Sequence, residues 1–200
     1  MRLIRFGLAV LVLLLMSQVS FSQGTYETFV SREDFFSVVV PCKIEARDIT
    51  WLSEFDNTLP GRVYSCNRGP ETYTVTVINY TDVRKIHESR ERNDAVVGYW
   101  RTDVNGSIAY AAMKLRQEAA KVTFDAYHQV DRIPGMQLQY TNHDGTRTFA
   151  AVYLHEYRLY ILKATVPPNT PPPGIFQQSL SVLNAEGNRI RYNDDIYRHP

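Results

Sequence analysis

Hydrophobic and polar residues alternate along much of this chain, and the alternation predicts strands. The clearest run is 72–77, where Tyr73, Val75 and Val77 share one face and threonines occupy the other. A period of two is typical of a strand with one face in the core and one in water. Similar runs predict further strands at 35–40, 43–51, 62–66, 122–130, 136–140, 146–154 and 157–165.

A helical period is clearest at 107–121, where Asn105 or Ser107 is the candidate N-cap. The segment 82–93 is highly charged and predicts a short exposed helix or an ordered loop, and 175–183 predicts a terminal helix. The apolar residues of the main helix form one stripe at three- and four-residue spacing: Ile108, Ala111, Ala112, Leu115 and Ala119.

Short turns join successive strands, for example at 142–145 and at 155–156. Such short connections imply antiparallel pairing, because a parallel pair needs a long crossover. With helices added in blocks, the pattern predicts an α+β fold, a single antiparallel β-sheet with helices packed against it. The start of the mature chain and a polar tail from about residue 193 are expected to be loose.

The N-terminus has the three parts of a secretory signal peptide. Arg2 and Arg5 are followed by an apolar run at 7–16, and Ser20 and Ser22 fit a small-x-small cleavage site. A membrane anchor is the less favoured alternative, because the run is shorter than the ~20 residues that cross a bilayer. We therefore expect a signal peptide at 1–22, one domain at 23–200, and a periplasmic or secreted protein without stable membrane insertion after cleavage.

The charge balance disfavours one class of partner. The full chain has 22 Lys and Arg against 21 Asp and Glu, and the signal peptide removes two arginines and no acid. The mature chain is therefore nearly neutral and gives no electrostatic reason to expect nucleic acid or an anionic membrane as a partner.

The chain has two cysteines, Cys42 and Cys66. An even count in an exported chain predicts a disulfide, and two thiols cannot complete a zinc site. Because Cys42 directly follows the first strand and Cys66 ends a nearby short one, we expect the two to meet within the same sheet.

Several segments resemble a group of exported, mostly uncharacterised bacterial proteins. They are 36–41 (F-S-V-V-V-P), 73–80 (Y-T-V-T-V-I-N-Y), 133–135 (I-P-G) and 158–162 (R-L-Y-I-L), followed by a proline-rich link. The layout is similar to the PsbP-like fold of extrinsic photosystem proteins, and the resemblance spans most of residues 30–185. It implies an antiparallel sheet with packed helices, and it transfers no catalytic motif to named residues.

His128 is the catalytic candidate. Residues two apart on a strand share a face, so His128 lies on an apolar face with Phe124, Ala126 and Val130. A histidine there can be a tuned acid or base, and the plainer interpretation is a core residue with one hydrogen-bond partner. His155 with Glu156 fits a solvated hairpin turn better than a metal site. The dipeptides at 143–144 and 87–88 are likewise expected to face solvent.

No sequence motif indicates a cofactor, a metal site or a nucleophile elbow. The leading hypothesis is a non-enzymatic envelope protein that binds a partner protein or a small ligand. One alternative is a secreted hydrolase with a site near His128. The other is a glycan-binding module that uses exposed tyrosine rings, which the thirteen tyrosines of the chain could supply.

Overall fold

The computed structural model describes residues 25–89 and 98–192. The predicted signal peptide and the predicted loose tail lie outside these residues and remain predictions. The strands are β1 Glu27–Ser31, β2 Phe36–Val40, β3 Glu45–Leu52, β4 Thr58–Arg68, β5 Glu71–Asn79, β6 Lys121–Val130, β7 Ile133–Thr141, β8 Arg147–His155, β9 Arg158–Val166 and β10 Ser181–Val182. The helices are α1 Val83–Glu88, α2 Tyr99–Glu118 and α3 Gly174–Gln177.

The strands form two antiparallel sheets, so the α+β class is confirmed and the prediction of a single sheet is wrong. A seven-stranded sheet has the order β3-β4-β5-β9-β8-β7-β6, and a three-stranded sheet has the order β1-β2-β10. The second sheet was missed because β10 has only two residues and β1 is largely exposed, so neither leaves a clear alternating pattern.

Each face of the seven-stranded sheet has its own core. On one face, which we call the sandwich face, side chains of β5, β8 and β9 pack against β2, α3 and β10. On the other, the helix face, side chains of β7, β8 and β9 pack against α1 and α2. Thr74 and Thr76, predicted to face water, line a groove beside α2 and are half-buried.

Two helices differ from their predictions. Helix α2 begins at Tyr99 rather than at 107, and Gly98 occupies its N-cap with a φ of 116°, so Asn105 and Ser107 lie inside the helix. Helix α3 ends at Gln177, although the sequence predicts helix to 183. The side chain of Ser179 accepts a hydrogen bond from the backbone N–H of Val39 (2.9 Å), which holds the chain beside β2 before β10 begins.

The structure contains the predicted disulfide between Cys42 and Cys66, with a Cα–Cα distance of 5.8 Å. The expectation that both cysteines share one sheet is wrong. Cys42 follows β2 of the three-stranded sheet and Cys66 lies in β4 of the seven-stranded sheet, so the bond joins the two layers. Among the helices of the described residues, none has the length and apolar character of a membrane span.

Candidate functional site

The turn between β8 and β9 separates two clefts at one end of the seven-stranded sheet. The larger measures about 510 Å³ and is bounded by Phe35, by the turn residues Glu156 and Tyr157, by Arg158, and by the chain at 183–185. The smaller measures about 400 Å³ and lies against the start of α2. Glu156 and Tyr157 line both clefts, so a ligand in either one would contact this turn.

Three bulky residues around the larger cleft have left-handed backbones. The φ angles are 54° at Phe35, 42° at Glu156 and 63° at Tyr157. Side chains with a Cβ rarely adopt this region, and each such residue costs on the order of 1–3 kcal/mol. The surrounding backbone holds them there, because Tyr80 N donates to Tyr157 O (2.7 Å) and Leu183 N donates to Phe35 O (2.8 Å).

Arg158 gives the larger cleft a positive charge above an aromatic ring. Its guanidinium carbon lies 4.5 Å from the centroid of the Phe35 ring, which is a cation–π distance. The Nε atom is buried and has no hydrogen-bond partner within the described ranges. The cleft therefore combines a guanidinium, a carboxylate from Glu156 and the rings of Phe35, Tyr157 and Tyr160, the mixture that small-molecule sites use to fix orientation.

The structure corrects the prediction that His155 faces solvent. The hairpin turn is at 156–157, one residue later than predicted, and His155 is the last residue of β8. Its side chain is only 8% exposed and its Nε2 lies 2.7 Å from Tyr192 Oη. Burial lowers the pKa of His155, and the nearby charge of Glu156 opposes that shift. His155 also borders the larger cleft, so it is a neutral polar group in the wall.

His128, the catalytic candidate from the sequence, lies half-buried on the sandwich face. Its Nδ1 is 2.9 Å from Tyr153 Oη, and burial lowers its pKa. Burial also raises the pKa of Tyr153 to about 12, so this partner is a phenol rather than a phenolate. The predicted apolar face holds at Ala126 and Val130, which are half-buried, but Phe124 is 44% exposed.

The helix face contains a buried polar cluster that sequence reasoning missed. Asp103 Oδ2 accepts hydrogen bonds from Ser53 Oγ (2.8 Å) and Asn57 Nδ2 (2.9 Å), and His87 Nε2 lies 3.0 Å away. His87 was expected to face solvent. No spacing could reveal the contact, because α1 and α2 bring His87 and Asp103 together only in three dimensions. Burial and the charge of Asp103 raise the pKa of Tyr80 beside this cluster.

The polar cluster differs from a hydrolase triad in its connectivity. The aspartate, rather than the histidine, is the common centre, and Ser53 Oγ also accepts backbone N–H groups of Phe55 and Asn57 at 3.3 Å. The hydroxyl of Ser53 therefore stabilises the turn between β3 and β4. In the described part of the chain, no group of three or more His, Cys, Asp or Glu residues is arranged to hold a metal ion.

The chain matches no protein-family model and no curated protein sequence. It is similar to the solution structure of cyanobacterial PsbP (CyanoP) from Synechocystis sp. PCC 6803, at 14% identity over 76% of this chain and 85% of that one, with a TM-score of 0.41. It is also similar to PA94, a protein of unknown function from Pseudomonas aeruginosa, at 8% identity over 72% and 85% of the two chains, with a TM-score of 0.30.

Proposed function

We propose that this chain is an exported, non-enzymatic protein that binds a small ligand or a partner segment in the two clefts beside the β8–β9 turn. The observation that carries the proposal is the strain at Phe35, Glu156 and Tyr157, which all line the larger cleft. Strained residues cluster at ligand sites, where the surrounding structure holds them in place.

A second turn in the same sheet shows why the residues at 156 and 157 need an explanation. Tight hairpins with two left-handed residues favour Asn-Gly or Asp-Gly. The β6–β7 turn also lacks glycine, but there Asp131 forms a two-point ion pair with Arg189 (2.6 and 2.9 Å). Across the described ranges, Glu156 has no such ion pair, so structural support does not account for its presence beside Tyr157.

The surroundings of His128 and Ser53, the two candidate catalytic groups, support binding over catalysis. The contact to His128 is a phenol, and the hydroxyl of Ser53 is occupied by backbone donors and by Asp103. A hydrolase centred on His128 would need a hydroxyl or water aligned with the imidazole and a group to orient it. The binder is therefore the better-supported proposal, and the hydrolase remains the alternative to exclude.

Export belongs to the same proposal. A disulfide that joins two sheets fits an oxidising compartment, either the periplasm or the extracellular medium. We propose that residues 1–22 are removed. The intact mass of the secreted protein should then correspond to a chain that begins at Gln23. A mature protein that retains Met1 would argue against export by this route.

The test of the cleft uses Tyr157→Gly with Arg132→Gly as its matched control, because both residues are the second left-handed position of a hairpin turn. Glycine relieves backbone strain, so neither variant should lose more than about 1 kcal/mol of stability. A thermal-shift screen with amino acids, nucleotides and oligosaccharides is the readout. We expect a compound that stabilises the wild type and Arg132→Gly but not Tyr157→Gly.

Two results would contradict the proposal. One is a compound that stabilises all three proteins equally, because the clefts would then not be its site. The other is a His128→Ala variant that stays folded while a hydrolytic activity of the wild type disappears, which would favour the hydrolase.

Glycan binding is a second candidate, favoured by the exposure of Tyr157, which is 44% exposed and lines both clefts. Sugars stack on such rings, so Tyr157→Phe should retain oligosaccharide binding while Tyr157→Gly loses it. Equal loss in both variants would point to the hydroxyl, and to hydrogen bonding rather than stacking.

A further inference from the structure

Strand β6 forms one edge of the seven-stranded sheet. It pairs with β7 on one side, and the structure places no strand of the described residues on the other. The outward row of backbone N–H and C=O groups is a template for another strand. The strand is also exposed on both of its faces, with Tyr127 at 71%, Phe124 at 44% and Val122 at 39%.

The opposite edge of the same sheet is protected in a way that β6 is not. Strand β3 has the charged residues Glu45, Arg47 and Asp48, which discourage pairing with another strand. The stretch 124–130 of β6 has one charged residue, Asp125, and both of its carboxylate oxygens are bound by Arg116 of α2 (2.6 and 3.1 Å). The β6 edge therefore presents rings and backbone groups with little net charge.

We propose that β6 pairs antiparallel with β6 of a second copy, around a two-fold axis at Tyr127. The pairing with β7 is irregular between Val122 and Phe124, so the regular part of the strand is 124–130, and Tyr127 is its centre. Opposed residues in this register lie on the same face of the joined sheet. They are Phe124 with Val130, Asp125 with Gln129, and Ala126 with His128.

The side chains of β6 favour this register, and they favour a second copy of the chain as the partner. An axis at Asp125 would place two carboxylates opposite each other, which is destabilising. The axis at Tyr127 opposes no like charges and places an aromatic ring beside a β-branched side chain, a favourable cross-strand pair. The two-fold arrangement uses both exposed β6 edges at once, so the joined sheet ends on the charged β3 strands and cannot extend further.

The first experiment measures the mass of the mature, disulfide-bonded protein in solution by light scattering at about 100 µM. The inference predicts a dimer that Tyr127→Lys converts to a monomer, because lysine on an edge blocks pairing. The matched control is Leu52→Lys at the end of β3, which is 50% exposed and should leave the dimer intact. Circular dichroism confirms that each variant is folded.

A second experiment tests the register. A Tyr127→Cys variant should form an intermolecular disulfide in air, because opposed residues on paired strands have Cβ atoms ~5 Å apart. Thr123→Cys should not, because four residues from the axis the two thiols would be about 26 Å apart. A monomeric wild type at 100 µM, a dimer that survives Tyr127→Lys, or cross-linking at 123 in place of 127 would each overturn the proposal.

Discussion

The two faces of the seven-stranded sheet are stabilised by different chemistry. The sandwich face is apolar and aromatic, with the ring of Phe36 5.0 Å from that of Tyr64 and 6.0 Å from that of Tyr160, both edge-on. It is also closed by the Cys42–Cys66 bond. The helix face contains a buried carboxyl group, because the side chain of Asp103 on α2 is fully buried and surrounded by hydrogen-bonding side chains.

The difference shows two ways to attach a layer to a sheet. Burial of rings is non-directional, and a disulfide adds a covalent limit on separation. A buried carboxylate depends on exact partners, since an unpaired charge in a core is strongly unfavourable. In the described residues, Asp103 Oδ1 and Ser107 Oγ are also buried without a partner, so α2 keeps unsatisfied polar atoms against the sheet.

The largest effect is expected from removal of the covalent link on the sandwich face. The double variant Cys42→Ser, Cys66→Ser should lose about 3.5 kcal/mol of unfolding free energy, because the bond closes a loop between residues 24 apart. Urea unfolding with and without reductant measures it. Reductant should have no effect on the double variant, and a loss below about 1 kcal/mol in the variant would show that the two layers hold together without the bond.

On the helix face, Asp103→Ala should cost about 3 kcal/mol, because it leaves Ser53, Asn57 and His87 without their common acceptor. The matched control is Asp125→Ala, which breaks an exposed ion pair with Arg116 and should cost under about 1 kcal/mol. Equal losses in the two variants, measured by urea unfolding, would show that the polar cluster is incidental to stability.

The smallest expected effect is a dependence of the unfolding free energy on pH, and it arises from two histidines on the sandwich face. Burial lowers the pKa of His155 and of His128 below the ordinary value of 6.5, so the unfolded chain binds protons that the folded chain does not. Stability is then fully present above pH 6.5 and falls as the pH drops from 6.5 toward the lowered folded values. The slope is at most about 1.4 kcal/mol per pH unit for each histidine.

Urea unfolding between pH 7.5 and 5.5 measures this slope, and His155→Gln should reduce it. Carboxylates titrate mainly below this range, so they contribute little to the comparison. If the slope does not change in His155→Gln, groups other than His155 cause the pH dependence.

The sequence predicted those elements whose hydrophobic pattern is local. The alternation at 72–77 identified β5, and the stripe from Ile108 to Ala119 identified the second half of α2. The first half of that helix was missed because its buried side includes Asp103, which breaks the apolar stripe. The α+β class and the cysteine pair were likewise predicted correctly.

What the sequence did not predict depends on contacts between distant segments. The two-residue strand β10 exists because β2 is beside it, and the predicted helix there gave way to this pairing. The larger cleft brings Phe35 to the turn at 156–157, which is remote in sequence. The two left-handed turn residues could not be foreseen either, because neither Glu nor Tyr signals such a turn.

The disulfide also determines what a protease can separate. The ring that it closes includes β3, most of β4 and the turn between them at 53–57, so one cut in that turn leaves a single covalently connected molecule. A cut in the proline-rich connector at 167–173 has no such protection and would release α3, β10 and everything that follows them. Fragments resolved on a gel before and after reduction would show these two classes of cleavage directly.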